Sequence, residues 1–596
     1  YKMGHNRTKN FLGVVSVISI SLIIGQSRVV ASNSNPIWIA QTPPPQDIFP
    51  DRDPPSSPPV TPSPQPSPPQ ELIPPSDLPV PLPTGSETFT ITEFIFTGNT
   101  RFSDETLAEK FTNNLRQQSL SISQLVTIAT EIAQFYQEQG YATTGAIVNI
   151  PSETQNQGTG KAEIQIIEGE VEQITVISAS ETRLPNRYIH SRLAIATEKP
   201  LHLPSLREAL QLLQLDPRID SLSASLSEGT QQGKSILEVS YRPAVAFQGG
   251  VNVDNGRVPS VGSFQGGISL DHHNLLGFSD RATLNYANSE GSNIIDVTYA
   301  IPINARNGTL TFGFGHNDSN VIEPPFDEID IATDSQTYEL SLRQPLIRTI
   351  DEQVFQEFAL GLTASLRDSQ ATLLDEPFPL SRGAEENGET RIFALRFFQD
   401  YTRSSARNVF ALRSQFNFGI DALDATTNEQ LPGVERIPDS EFFSWQGQAQ
   451  YVRLLGEDQL FLLRGSAQLA DQTLLAAEQY SLGGINTVRG YRQDQLLSDN
   501  GVFLSAEVQL PILRAFNRQG VLQIAPFFDW GTSWNSSGLS NPDPSTLSSV
   551  GIGLQWRYAD TFTARLDWGI PLVEVEDRDR TLQENGLVFS VQVNPF

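Results

Sequence analysis

The sequence predicts two small α+β domains in series, followed by a 16-stranded antiparallel transmembrane β-barrel. Three observations carry this expectation. Between Thr88 and Tyr241 a strand–helix–helix–strand–strand order occurs twice. From Ala244 to Phe596 helical periodicity gives way to segments that alternate in polarity. In those segments one face is continuously apolar and the other carries Arg, Asp, Glu and Gln, the pattern of a wall between lipid and water.

The chain has 596 residues, 38% of them hydrophobic, so it has material for several cores. Asp and Glu total 68 against 40 Lys and Arg, a net charge of -28, which excludes a phosphate-binding surface and hence nucleic acid as a partner. With no cysteine, neither a disulfide framework nor a thiolate metal site is available. Lys2, His5, Arg7 and Lys9 precede an apolar stretch from Phe11 to Gly25, and Val29-Val30-Ala31 offers a small-residue cleavage site. Residues 1–31 therefore read as a secretory signal peptide, with Ala40 as an alternative end. No later apolar run approaches the ~18 residues of a spanning helix, so membrane residence requires a barrel. Residues 42–86 are dominated by proline, as in Pro58-Pro59 through Pro68-Pro69, and read as a semi-rigid extended linker.

The first α+β unit is expected over 87–170. Phe89 to Phe96 alternates as a strand and Thr97-Gly98-Asn99 closes it as a turn. A helix is predicted from Ser103, its N-cap, through Leu107 and Phe111 to Leu115. A second places Leu125, Ile128, Ala129, Ile132 and Phe135 on one stripe and stops at Gly140. Ala146 to Ile150 and Ala162 to Ile167 alternate as strands. The second unit, 171–243, repeats the order from Val171 to Val176, with helices near Pro185–Ile195 and Leu203–Leu215 and strands at Ile219–Leu226 and Ser235–Tyr241. These paired units, with Phe96-Thr-Gly98-Asn99-Thr-Arg-Phe102-Ser103 in the first, resemble POTRA domains, a likeness that implies a periplasmic position ahead of an outer-membrane barrel.

The barrel is expected over 244–596. In Val550 to Tyr558 the face Val550, Ile552, Leu554, Trp556 and Tyr558 is lipid-compatible, whereas Gly551, Gly553, Gln555 and Arg557 line the other side. Phe562 to Ile570 and Val502 to Leu510 repeat the division, with Arg565, Asp567, Ser505 and Glu507 inward. A soluble sandwich has the opposite distribution, its charged face outward and its inner face dry. Roughly 350 residues leave about 22 per strand and connection, enough for tilted spans plus loops around a wet channel. The C-terminal Phe596 resembles the terminal aromatic of such barrels, although Val591 and Val593 alternate out of step with it.

With the α+β units periplasmic, odd strands run outward, and the connection 471–501 between the eleventh and twelfth is external. Its glycines Gly483, Gly484 and Gly490 permit sharp turns, so the loop is expected to bend back into the channel and carry Arg489 inward. Alternation offers three inward carboxylates as its acceptor, Glu507, Asp529 and Asp567. A guanidinium–carboxylate fork in a wet lumen would contribute about 1–3 kcal/mol.

Val488-Arg489-Gly490-Tyr491, the preceding Leu482-Gly483-Gly484, and Phe527-x-Asp529-x-Gly531 together resemble the signatures of the two-partner secretion transporter (TpsB) family of haemolysin and haemagglutinin secretion activators. The likeness extends to Val253-Asp254-Asn255-Gly256, Ser269-Leu270-Asp271 through Gly277, and Tyr299-Ala-Ile-Pro302. It implies a bacterial outer-membrane pore that captures one large β-helical exoprotein in the periplasm and threads it unfolded to the cell surface without ATP. It also implies that Arg489 meets Asp529 inside the barrel and fixes the loop. Relatives often carry an N-terminal plug helix, for which Thr42 to Thr84 is a poor sequence. The competing readings are a barrel-assembly insertase, which shares these modules, and a passive porin, which leaves the α+β units without a role. Implied partners are the secreted exoprotein, outer-membrane lipid and periplasmic chaperones.

Other motifs carry less. Gly229-Thr-Gln-Gln-Gly233-Lys234-Ser235 is one residue short of a phosphate loop and lies between strands, so it reads as a hairpin turn. Asp271-His272-His273 splits across two faces of a strand and reads as a rim rather than a metal site. The acidic run Glu323 to Asp330 reads as a solvated loop. No Gly-x-Ser-x-Gly or His-Glu-x-x-His is present, and neither an enzymatic activity, a cofactor nor a metal is expected.

Overall fold

A computed structural model describes residues 87–351, 353–430, 436–536, 540–575 and 581–595. The expected signal peptide, the proline-rich linker and Phe596 lie outside the described residues.

The N-terminal sheet has four strands in the order Gln118–Ser121, Thr88–Thr97, Thr159–Ile167, Gly145–Asn149. Against it packs the helix Ile122–Glu138, which starts on a capping box between Ser121 and Gln124 and buries Leu125, Ile128, Ala129, Ile132 and Tyr136. The expected helix from Ser103 to Leu115 is much shorter. Ser103 does cap the single α-turn Asp104–Leu107, but a π-turn Ala108–Thr112 follows and the chain then enters an edge strand. Gln117, at φ 63°, swings the backbone so that Gln118–Ser121 pairs with Thr88–Ile91 and Leu120 reaches the core. One apolar residue in a four-residue strand leaves no periodicity to read. The second sheet places Lys234–Pro243 between Glu170–Ser178 and Ile219–Glu228, with the helices Asn186–Ala196 and Leu203–Gln214 contributing Leu193, Leu206 and Leu210 to one core. The Gly229–Ser235 segment is the hairpin connection between its last two strands.

Sixteen strands then close a barrel. In chain order they are β1 Phe247–Asp254, β2 Gln265–His273, β3 Arg281–Ser289, β4 Ser292–Pro302, β5 Thr309–Asn320, β6 Ile331–Asp351, β7 Val354–Leu373 and β8 Glu389–Ser404. They continue as β9 Asn408–Gly419, β10 Phe443–Gly456, β11 Gln459–Ala470, β12 Asn500–Ala515, β13 Gly520–Trp534, β14 Thr546–Tyr558, β15 Phe562–Pro571 and β16 Leu587–Val593. All neighbours pair antiparallel, and the side chains alternate as the sequence requires: Phe528, Leu554 and Trp568 are exposed outward while Phe527, Gln523 and Asp567 are buried inward. Closure is made by a short seam in which Ser590–Val593 pairs with Val251–Asp254. Asn255 extends that ladder with its side chain, accepting from Phe589 N at 2.7 Å and donating to Leu587 O at 2.9 Å.

The second α+β unit touches two barrel turns and one strand end, each where an even strand passes to an odd one. Arg183 Nη1 donates to Leu275 O (3.4 Å), Arg192 Nη2 to Asn307 Oδ1 (2.7 Å), and Ile350 N to Glu208 Oε1 (3.0 Å). The odd-to-even connections, including the one after β11, therefore lie at the opposite end of the barrel.

Candidate functional site: an arginine-bearing loop inside the barrel

The chain leaves β11 at Ala470 and rejoins the wall at Asn500. Between them Tyr480–Leu482 pairs with Leu496–Ser498, so the connection folds as a hairpin stalk with its tip at 483–495. The stalk is fastened to the lumenal wall. Tyr480 Oη lies 2.6 Å from Ser466 Oγ, Gln468 Nε2 donates to Glu478 O and Asp499 O, and Arg396 of β8 forms a fork with Glu478 at 2.7 and 3.0 Å. Leu482, Val488, Tyr491 and Leu496 pack with Phe503 and Leu547 into a small apolar core. That core excludes water from the side of the tip that faces the wall.

Arg489 is 2% exposed. Its Nε and Nη2 donate to Asp529 Oδ2 and Oδ1 at 2.8 and 2.9 Å, its backbone N–H donates to the same carboxylate at 3.2 Å, and Nη1 donates to Glu507 Oε2 at 2.7 Å. Asp567 Oδ1 is 3.8 Å from Nη1, and the guanidinium carbon sits 3.5 Å over the Phe527 ring. Ser505 Oγ donates to Asp529 Oδ1 at 2.6 Å. Arg565 completes the cluster, donating to Glu507 Oε2 at 2.7 Å and Asp567 Oδ2 at 2.8 Å. Arg464, the cross-strand neighbour of Ser505, brings a third cation to the same wall.

Each residue of the two motifs has a physical task here. Gly490, at φ 99°, lies against Gly569 of β15: a Cβ on Gly569 would come within 2.6 Å of Gly490 N, so the two bare backbones are what allow contact. Val488 is fully buried in the apolar core, and Tyr491 Oη donates to Ser548 O at 2.8 Å and accepts from Val573 N at 3.2 Å. On β13, Phe527 is the platform beneath the guanidinium and Asp529 the fork. A Cβ on Gly531 would lie 2.8 Å from Leu482 Cδ2, so glycine leaves room for the stalk.

Two expectations change. The acceptors that alternation offered as alternatives, Glu507, Asp529 and Asp567, all surround Arg489, because β12 and β13 pair directly and the inward Gly553 of the intervening β14 leaves room for Asp567 of β15. The surroundings are dry rather than wet, since the tip covers the cluster it binds: Asp529 is 0% exposed and Asp567 2%. The acidic run also divides. Asp327, Glu328 and Asp330 are exposed, but Glu323 turns inward and is buried against Arg492, a partner that lies 169 residues away and leaves no local sequence signal. Asp271, of the Asp-His-His triplet, is taken by Arg281, whose Nε donates to it at 2.6 Å.

Residues 233–556, more than half of the chain, match the family model described as Haemolysin secretion/activation protein ShlB/FhaC/HecB, and residues 89–169 match a POTRA domain of the ShlB type. Outer membrane transporter CdiB of Escherichia coli O6:K15:H31 (strain 536 / UPEC) is 23% identical over 506 residues, covering 81% of this chain and 79% of that protein. Heme/hemopexin transporter protein HuxB of Haemophilus influenzae is 24% identical over 478 residues, covering 76% and 78%. The solved structure of CdiB from Escherichia coli aligns with a TM-score of 0.63 at 20% identity, over 88% of this chain and 94% of that one.

Proposed function

This chain belongs to the haemolysin secretion/activation protein family ShlB/FhaC/HecB, and from that premise we propose that its buried Arg489 cluster is a latch that holds the inward loop in one position beside the path of an exported protein. The chain is an outer-membrane transporter of the two-partner secretion type, with its POTRA region in the periplasm and a secreted exoprotein as its partner. Membership of a secretion family, rather than of a family of barrel-assembly insertases, decides between two readings that share the same modules.

The observation that carries the latch is the span of Arg489 contacts. One side chain of the loop engages β12, β13 and β15 together, inside a closed barrel. A fork of charge-assisted hydrogen bonds holds a single loop position, and its polar partners can be solvated by water if the loop withdraws. The arginine is thus a positioning group for the loop past which cargo moves, and not a contact for the cargo itself. Phe527, Gly531, Val488, Gly490 and Tyr491 serve the same position by packing.

Cargo enters as an extended chain, because the inward loop, fastened to β8, β11, β12 and β13, occupies part of the lumen. Folding of a large β-helical partner outside then supplies direction without a nucleotide. Capture uses the open edges of the POTRA sheets, to which an extended segment adds as a strand. Periplasmic chaperones keep the partner unfolded until that encounter. Deletion of 88–242 tests the capture role: secretion of the partner is lost while the barrel still conducts ions. Retained secretion would refute it.

A further inference from the structure

We propose that Arg492 is a second positioning residue, part of an outer latch that closes the external mouth of the pore independently of the Arg489 cluster; this rests on the secretion reading above. Arg492 Nη2 donates to Glu323 Oε2 at 3.0 Å and Nη1 to Glu584 Oε1 at 3.3 Å, with side-chain exposures of 7%, 6% and 3% for the three residues. They come from three different external connections. Glu323 lies between β5 and β6, Arg492 on the inward loop, and Glu584 between β15 and β16. The connections carrying Glu584 and Glu323 belong to one run of the rim, joined through the β1–β2 connection, where Ile322 N donates to Ser260 O at 2.8 Å. Arg492 reaches that run from the connection after β11, so the triad ties the inward loop to it.

Neighbouring hydrogen bonds make the tie continuous. Gln493 N donates to Gln583 Oε1 at 2.8 Å, and Gln583, 1% exposed, donates through Nε2 to Arg257 O at 2.6 Å and to Asn255 O. A fourth connection, between β1 and β2, is thereby joined to the other three. The carboxylates around Arg489 belong to strands of the wall, whereas Glu323 and Glu584, the carboxylates on Arg492 among the described residues, belong to external connections. The two arginines, on one short tip, thus separate two tasks. The inner one fixes the loop to the barrel, and the outer one uses the fixed loop as an anchor for the connections that cover the exit. Exit of a polypeptide requires Glu323 and Glu584 to part from Arg492. Both carboxylates and the guanidinium then regain water, which offsets the broken ion pairs and makes the closure reversible.

The absence of cysteine in this chain gives a clean test. The full-length double variant Glu323→Cys/Glu584→Cys removes the two carboxylates that hold Arg492 among the described residues, and the purified protein is expected to show a larger and noisier conductance in planar bilayers than the parent. Joining the two thiols with a cleavable bismaleimide should return the conductance to the closed level and block export of the co-expressed partner, and cleavage should restore export. Arg492→Gln, which removes the charge and keeps a polar side chain, should reproduce the raised conductance with the barrel still heat-modifiable in the outer membrane. Export that continues through the cross-linked protein, or an Arg492→Gln conductance equal to that of the parent, overturns the outer latch. Failure of the unmodified parent chain to export its partner would instead refute the secretion reading, so the two failures are distinguishable.

Discussion

Replacement of Arg489 by alanine tests the inner latch most directly. The substitution leaves three carboxylates, but their losses are unequal. Glu507 and Asp567 keep Arg565 at 2.7 and 2.8 Å, whereas among the described residues Asp529 keeps only the Ser505 hydroxyl, at 2.6 Å, as a side-chain donor. Breaking one buried pair while its partner stays charged costs about 3–5 kcal/mol, and the lower end applies because the withdrawn tip readmits water to Asp529. Loss of the guanidinium from the Phe527 face adds about 1 kcal/mol. Together about 4 kcal/mol shifts the ratio of inward to withdrawn loop close to a thousandfold. The expected result is loss of partner secretion with the barrel still inserted. A lone thiol introduced as Val488→Cys, protected in the parent, becomes reactive when Arg489→Ala is added. Arg489→Lys retains charge without the fork and should fall between the two. In a double-mutant cycle Arg489→Ala and Asp529→Ala should couple by about 2–3 kcal/mol. Unchanged thiol reactivity together with normal secretion would refute the reasoning.

The glycine contact makes a prediction free of charge effects. Gly569→Ala puts a Cβ 2.6 Å from Gly490 N, and Gly490→Ala adds a side chain at φ 99°; both should expose the same reporter thiol and lower secretion with the ion cluster chemically intact. In the second periplasmic sheet domain, burial raises the Asp216 carboxyl, but the guanidinium of Arg218 and the Tyr188 hydroxyl outweigh it and hold the group below its ordinary value. A depressed carboxyl contributes stability that is complete above its unfolded value near ~4 and is lost as pH falls through the folded value. Hydrogen exchange of the helix Leu203–Gln214 in the full chain should therefore stay slow from neutral pH to about 5 and accelerate below about 4. Asp216→Asn should exchange faster at neutral pH and lose that dependence; an unaltered pH profile would count against this role.

Strand alternation made the barrel legible, because a two-residue period read against lipid and water assigns every side chain to a face without knowledge of its neighbours. The sixteen strands expected from alternation match the sixteen of the closed barrel, and the inward set on the last strands included Glu507, Asp529, Arg565 and Asp567. The Gln118–Ser121 edge strand was not legible, since its place is set by pairing with residues thirty positions earlier. Sequence by itself determined which side chains face the lumen and that an arginine-bearing, glycine-rich connection could return to them. Only the tertiary structure decided that three carboxylates share that arginine, that the tip seals them from water, and that Arg492 reaches Glu323 and Glu584. Facing is a local property of the backbone period, whereas sharing a charge and excluding water depend on which distant segments the closed barrel brings within about 3 Å of one another.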